Sequence, residues 1–400
     1  MAAVAPLTIT NALLPTGIVT SLRLVDGVVA ATGVEPGVGD SVLDAAGSLV
    51  LPAMVEPHAH LDKAFLSESV PNATGDLMGA ILGMAAHADS MTRADTERRA
   101  ERAARVFASN GATAIRTHVD LTEEVGLESL LAVLAARDRV RDVVDVEIVA
   151  LSGWPICGVA GDAQRGLLRD AIAAGADVIG GCPHLDPDTM ESLEYFLDVA
   201  AAAGLPVDLH TDEHLDPARS TLAHLADVVA STGFAHTVTA SHCVSLCLRP
   251  VDEQRRVADA LAAAGVHVVA LPSTNLFLQG RDQQQAMPRA LAPVAALRAA
   301  GVNVAAGWDN LQDPFNPMGR GDCLETAALM SMVGHLLPDE AYHSVSNAGR
   351  AIIGLPVAGT EVGMAADLVL IPERTTRAAI AGAPSGRTVI RRGLVVTSPA

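Results

Sequence analysis

Through the middle of the chain, short apolar runs alternate with longer segments in which apolar residues recur at helical spacing. The runs are Leu49–Val55, Ala114–His118, Val144–Leu151, Asp177–Gly181, Val207–His210, Thr237–Ser241, His267–Leu271 and Val302–Ala306. Their length and β-branched content predict strands. Segments between them, such as Thr92–Asn110 and Asp162–Ala174, predict amphipathic helices. Glycine closes several of these helices, as at Gly175 and Gly265. Eight strand–helix alternations predict a parallel (β/α)8 barrel of the TIM type. A doubly wound open sheet is the alternative. No Gly-x-Gly-x-x-Gly follows the first inner strand, which argues against a dinucleotide site.

The two ends have a different pattern. Leu22–Val25 and Val28–Ala31 flank Asp26-Gly27, a type I′ hairpin signal. Near the C-terminus, Ala366–Ile371, Thr388–Ile390 and Leu394–Val396 predict further strands, the last two flanking Arg392-Gly393. Neither end is long enough to bury a core alone. Residues 1–52 and 357–400 are therefore expected to form one composite β-sandwich domain, with a barrel of residues 53–356 inserted between them.

Composition narrows the function. A net charge of −19 disfavours nucleic acid and anionic membranes, because phosphate binding needs clustered cations. No apolar run reaches the ~18–20 residues of a membrane span, and Met1–Pro6 lacks a basic leader pattern. The expectation is a cytoplasmic protein acting on a small molecule, with a homo-oligomer possible. The five cysteines are scattered and form no disulfide framework. Lys63 is the single lysine among 27 basic residues. Two readings of it stay open: a survivor of a bias towards arginine, or an amine retained for the chemistry beside it.

That chemistry begins at His58-Ala-His60, where the first inner strand ends. Residues i and i+2 of a strand share a face, so both imidazoles can meet one metal ion, and imidazole suits zinc or iron. Barrel enzymes carry their active residues at the C-terminal ends of strands. The other ends read Arg116-Thr-His118-Val-Asp120, Pro183-His184, His210-Thr-Asp212-Glu213, Ser241-His242 and Trp308-Asp309-Asn310. Six of the thirteen histidines fall there. Aromatic residues are scarce, yet Phe65, Trp154, Phe277, Trp308 and Phe315 all fall at strand ends or in the loops after them. Such faces hold a flat heterocycle well, and Trp154 and Phe315 are the better candidates for a substrate wall.

Val55–Asp62, Arg116–Asp120, Asp208–Glu213, Thr239–His242, Leu278–Arg281 and Asp309-Asn310 with Asp313-Pro-Phe, in this order, resemble the amidohydrolase superfamily. The likeness is to its cytosine deaminase branch and the related aminotriazine hydrolases. It implies a mononuclear site in which His58, His60, His210 and Asp309 ligate one divalent ion, Zn2+ or Fe2+, with a position left for the water that attacks. The lysine-bridged binuclear form is excluded, since no lysine lies near the fourth strand. The resemblance further implies Glu213 as proton carrier, His242 and Asp309 as candidate bases, and His242 as a group that steadies the oxyanion. His118 is expected as support behind the ligands. Lys63, Trp154, Gln279, Asn310, Phe315 and His184 are the candidate substrate contacts. Cytosine deaminases carry a ring-reading glutamine after the third strand, where this chain has Gly153 beside Trp154. Asn310 matches the triazine hydrolases, whereas Glu213 matches the deaminases. The expected activity is metal-dependent hydrolytic deamination of a small nitrogen heterocycle, an aminopyrimidine, aminotriazine or related ring. The alternative is cleavage of a cyclic amide or an N-alkyl or N-acyl bond at the same site.

Overall fold

The computed structural model describes residues 5–398. Met1–Val4, part of the stretch read for a leader, lies outside them. Strands from both ends of the chain join in one mixed sheet. They are β1 (Leu7–Leu13), β2 (Val19–Val25), β3 (Val28–Thr32), β4 (Ser41–Asp44) and β5 (Leu49–Pro52). Inserted after them are the barrel strands β6 (Met54–Ala59), β7 (Ala112–Leu121), β8 (Asp145–Ser152), β9 (Val178–Gly181), β10 (Val207–Thr211), β11 (Val238–His242), β12 (His267–Ala270) and β13 (Val304–Ala306). The chain then returns to the first sheet with β14 (Leu368–Ile371), β15 (Thr388–Arg391) and β16 (Leu394–Thr397). The order in that sheet is β16-β15-β14-β5-β1-β2-β3, with β4 paired to β1. Its hairpins turn where expected. Asp26 and Gly27 both have positive φ, as do Arg392 and Gly393, which is what a type I′ turn requires.

The run Leu49–Val55, expected as one strand, is divided between the two sheets. Leu49–Pro52 pairs antiparallel with β14, the Ala53 amide donates to the Asp367 carbonyl, and the Met54 amide donates to the Gly111 carbonyl. The bonds to the first sheet thus continue through Ala53, and the switch falls between Ala53 and Met54.

Sheet order in the barrel follows the chain, β6 through β13, and the pairs are parallel. A parallel bridge between Ala59 and Asp309 brings the two edges together. Helices return the chain between strands: α1 (Leu77–Ala86), α2 (Arg93–Ser109), α3 (Glu128–Val140), α4 (Asp162–Ala174), α5 (Thr189–Ala203), α6 (Leu222–Thr232), α7 (Val251–Ala263) and α8 (Pro272–Leu278). Helix α2 illustrates the local logic. Thr92 caps its first turn by accepting from the Asp95 amide, and Ala100, Ala103, Ala104 and Phe107 are buried at i, i+3, i+4 and i+7. One large core cluster lies between strands and helices, and a second cluster lies on the mixed sheet.

Candidate metal centre and active site

The period of two along each barrel strand sends alternate side chains inward. In β6 these are Glu56 and His58, in β7 Arg116 and His118, in β10 Asp208 and His210, and in β11 Thr239 and Ser241. The lower members form a charged floor. Arg116 donates to Glu147, to Asp208 at 2.9 Å and to Thr239. Ser241 donates to Asp208 Oδ1 at 2.7 Å, and its Oγ lies 3.0 Å from His58 Nδ1. Because that hydroxyl proton goes to Asp208, His58 Nδ1 carries the proton between them. The His58 Nε2 lone pair is thereby left facing the barrel mouth.

Four groups converge there. The ligand-type nitrogens of His58, His60 and His210 lie within 4.8 Å of one another. His60 Nε2 is 3.2 Å from Asp309 Oδ1, and His58 Nε2 is 3.7 Å from it. Burial, together with neighbouring imidazoles or the Lys63 ammonium, holds all three histidines well below their usual pKa. Burial, with Glu213 and Asp313 nearby, pushes Asp309 well above the carboxylate range. His58 Nε2 and both Asp309 oxygens have no hydrogen-bond partner although buried. Neutral imidazoles and a buried, unpartnered carboxylate aimed at one point are what a divalent cation requires and what little else satisfies. The donor set fits one ion. A further trio, His58, His118 and Asp208, also lies within 4.8 Å, but Arg116 already neutralises Asp208. His118 stacks on His58 with ring centroids 3.8 Å apart.

Asp309 and His242 both hold left-handed backbone, φ 75° and 70°, which non-glycine residues adopt at a cost. The Asp309 amide donates to the His58 carbonyl at 3.0 Å, so the contact that closes the barrel also aims the carboxylate. His242 Nδ1 meets Asn275 Oδ1 at 3.0 Å, while Nε2 has no partner and lies 3.9 Å from Asp309 Oδ2. Burial lowers His242 to about 4. Glu213 is buried, 3.5 Å from His242 Nδ1, and burial raises it to about 8. A carboxyl in that state holds a proton near neutrality.

A cavity of about 370 Å³ opens over this cluster. Lys63, Trp154, Asn310 and Phe315, all expected as substrate contacts, line it, as do Glu213 and His242. Lys63 is only 3% exposed, with Nζ 2.5 Å from Asp120 Oδ1. Burial works against its charge, but Asp120 and Asp62 outweigh that and raise its pKa. Asn310 donates to Asp313 at 2.8 Å. Two expected contacts lie elsewhere. The His184 ring turns onto the His210 carbonyl at 3.0 Å and is not among the residues that line the cavity. Gln279, just past the end of α8, is not among the residues that line the cavity, and both its amide atoms are buried without a hydrogen-bond partner. Of the other aromatic candidates, Trp308 is buried, while Phe65 and Phe277 pack under Arg102 and Arg281.

The sequence reading missed the floor. Its signal was present: Glu56, Arg116 and Asp208 each precede a site histidine by two residues, the spacing that places them one layer below. Glu56 accepts from the Trp308 and His58 amides and ties the first strand to the last. Also missed was α1, whose residues form much of the outer wall.

A sequence profile of the amidohydrolase family matches residues 70–397, so His58 and His60 fall just before the matched segment. A pterin deaminase from Rhizobium rhizogenes is 32% identical over 359 residues, covering 88% of this chain and 82% of that one. The crystal structure of 5-methylcytosine deaminase from Klebsiella pneumoniae, liganded with 5-fluorocytosine, superposes with a TM-score of 0.89 at 29% identity, covering 98% of each chain. That of N-isopropylammelide isopropylaminohydrolase from Burkholderia multivorans superposes with a TM-score of 0.85 at 29% identity, covering 99% of each.

Proposed function

The chain belongs to the amidohydrolase family, and from that premise we propose that it is a metal-dependent hydrolase that deaminates a small nitrogen heterocycle. The observation that carries this is the pairing of the four-ligand cluster with a buried, proton-holding Glu213 in one cavity. His58, His60, His210 and Asp309 would hold one ion per chain, Zn2+ or Fe2+, since three imidazoles and one carboxylate suit either. When bound, the ion supplies a Lewis acid that polarises water and the ring's carbon–nitrogen bond.

The chain's own residues supply the rest. His242 Nε2 and Asp309 Oδ2 both lack partners and face one another, so between them they can take the proton that the attacking water gives up. Glu213 donates its proton to the ring nitrogen beside the carbon under attack. The carboxylate it leaves takes the proton of the hydroxyl now on the ring carbon and passes it to the amine, so that the carbon–oxygen double bond forms as the carbon–nitrogen bond breaks and ammonia leaves neutral; the proton first taken from water then restores Glu213. Trp154 and Phe315 offer flat faces to the ring. Lys63 and Asp120, paired at the cavity wall, offer a donor and an acceptor to its polar edge.

A second reading, release of an alkylamine, has the support of Asn310 and of the structural likeness to the isopropylaminohydrolase. The test of both is one screen of the metal-loaded enzyme across aminopyrimidines, aminotriazines, their N-alkyl derivatives, pterins and creatinine-like rings. Ammonia release with the ring intact is expected. Alkylamine release alone would establish the second reading, and ring opening without amine release would sink both. Among the described residues no helix is long and apolar enough to cross a membrane.

A further inference from the structure

The cavity has two unlike ends. Its reacting end lies at strands β6, β10, β11 and β13, the first, fifth, sixth and eighth of the barrel. Its other end lies over the first three strands and is built from loops. Helix α1 contributes Leu77, Ile81, Met84 and Ala85, positions i, i+4, i+7 and i+8, one face of a helix. Met91 continues that wall, and Val125 and Trp154 line the cavity from the loops after β7 and β8. The helix is apolar all round, and Met78 and Leu82 on its other side are exposed to solvent. Leu77, Ile81 and Met84 stay partly accessible, facing the cavity.

The wall is fixed in place. Asp76 caps α1 by accepting from the Gly79 amide at 2.8 Å. Asn72 donates to the Asp76 carbonyl at 2.9 Å and to the Pro314 carbonyl at 3.0 Å, which joins the loop before α1 to the loop carrying Phe315. Gly79 and Gly83 let the helix lie against residues 71–74. A Cβ at Gly83 would stand 2.5 Å from the Pro71 carbonyl oxygen. The apolar face is thus held over the mouth and not merely resting there.

Charge adds a second constraint. Among the described residues, Lys63 is the only cationic side chain lining the cavity, and it is already paired with Asp120. Glu123 and Glu124 line the same end as α1 and are exposed. An anionic group entering there would meet carboxylates and no free cation.

We propose that the ring carries an uncharged apolar substituent, alkyl or aryl, which lies against α1 on the side away from the departing amine. The inference rests on the heterocycle-hydrolase reading and narrows its substrate class. In an eight-stranded barrel the second strand stands opposite the sixth, so a group lying between α1 and the loop after β7 is remote from His242 at the end of β11. The substituent is therefore on the ring and not on the leaving nitrogen. The volume agrees, since about 370 Å³ falls among pockets of roughly 300–1,000 Å³ that hold drug-sized ligands, more than a bare aminopyrimidine fills.

The test uses rings that cannot turn over, with an oxo group in place of the amine: uracil and lumazine, each bare, with a propyl group, and with a carboxylate. Calorimetry on the metal-loaded protein reads their affinities. In at least one series the propyl form is expected to bind about tenfold tighter than the bare ring, the gain from burying about two methylenes, and the carboxylate form weaker than the bare ring. Ile81→Ser and Met84→Ser are each expected to bring the propyl-to-bare ratio towards one. No propyl gain in either series, including no binding at all, overturns the proposal, as does a carboxylate form that binds tighter than the propyl form. A propyl gain unchanged in both variants overturns the placement against α1. Ammonia release from the corresponding bare amines, measured alongside, reports on the hydrolase reading separately. Release without a propyl gain sinks the apolar subsite alone, and a propyl gain with no release from any ring sinks the reaction alone.

Discussion

The two ends of the cavity are built by different means. At the reacting end, side chains come from strand ends, and hydrogen bonds link His58, a proposed ligand, down to the barrel floor through Ser241, Asp208 and Arg116. At the other end, side chains come from α1 and from the loops after β7 and β8, and apart from Glu123 and Glu124 they are mostly apolar. The first arrangement fixes geometry to a fraction of an ångström, as bond making demands. The second fixes only shape and polarity, enough to choose among substrates. Changes at the reacting end should therefore appear in kcat or metal content, and changes at the wall in KM.

The largest expected effect is at Asp309. Asp309→Ala removes one ligand and leaves three neutral imidazoles. Turnover should be lost, and elemental analysis should find well under one equivalent of metal. Full activity after complete chelation, or two equivalents needed for activity, would break the site as drawn. Glu213→Gln comes next. It keeps the shape and removes the proton, so metal content and affinity should stay near normal while kcat falls at least ~10²-fold. Loss of metal in that variant would make Glu213 a ligand.

The floor gives the next effect. Asp208 is buried between Arg116 and Ser241, and burial raises it to about 6. Asp208→Asn keeps the size but removes the charge facing Arg116. The Ser241 hydroxyl is then free to reorient, and the His58 tautomer is no longer fixed. Partners of this kind typically contribute about 10–100-fold to metal affinity. Competition with a chelator measures it, and an unchanged affinity would detach the floor from the ligands.

Much of this end was legible in the sequence because its code is short-range. The period of two and the barrel rule place His58-x-His60, His210 with Glu213, and Asp309 at one end of the barrel, on its first, fifth and eighth strands, and the family resemblance picks them out from the other polar residues there. The floor obeys the same period and could have been found. His184 and Gln279 could not have been excluded, because where each points depends on the helical segment after its strand and not on the strand itself. The α1 wall was illegible for a related reason. Leu77, Ile81 and Met84 show helical spacing, but nothing local says whether that face meets core or cavity.

Lys63 stands between the two ends, in both the charge network and the cavity wall. Lys63→Arg tests whether it serves the chemistry. A guanidinium is longer, planar and unable to reproduce a compact ammonium beside Asp120 and Asp62. If Lys63 positions the ring, kcat/KM should fall on the order of tenfold to a hundredfold with metal content unchanged. Unaltered kinetics would leave arginine bias as the account of its solitude.

The smallest effect is expected at Gly83, and it sharpens the contrast most. Gly83→Ala favours helix by about 1 kcal/mol. Against that, the new Cβ would stand 2.5 Å from the Pro71 carbonyl oxygen, a backbone atom that cannot rotate aside, and overpacking of this kind costs about 1–3 kcal/mol. The clash prevails or nearly cancels, so α1 shifts away from residues 71–74 with little change in global stability. Gly83 itself does not line the cavity, and no ligand or proton carrier sits on α1. A displaced wall should therefore raise KM a fewfold, on the order of the loss of one buried methylene or two, and leave kcat and metal content as they were. A fall in kcat without a rise in KM would mean that the wall takes part in the chemistry, and the division between the two ends would have to be redrawn.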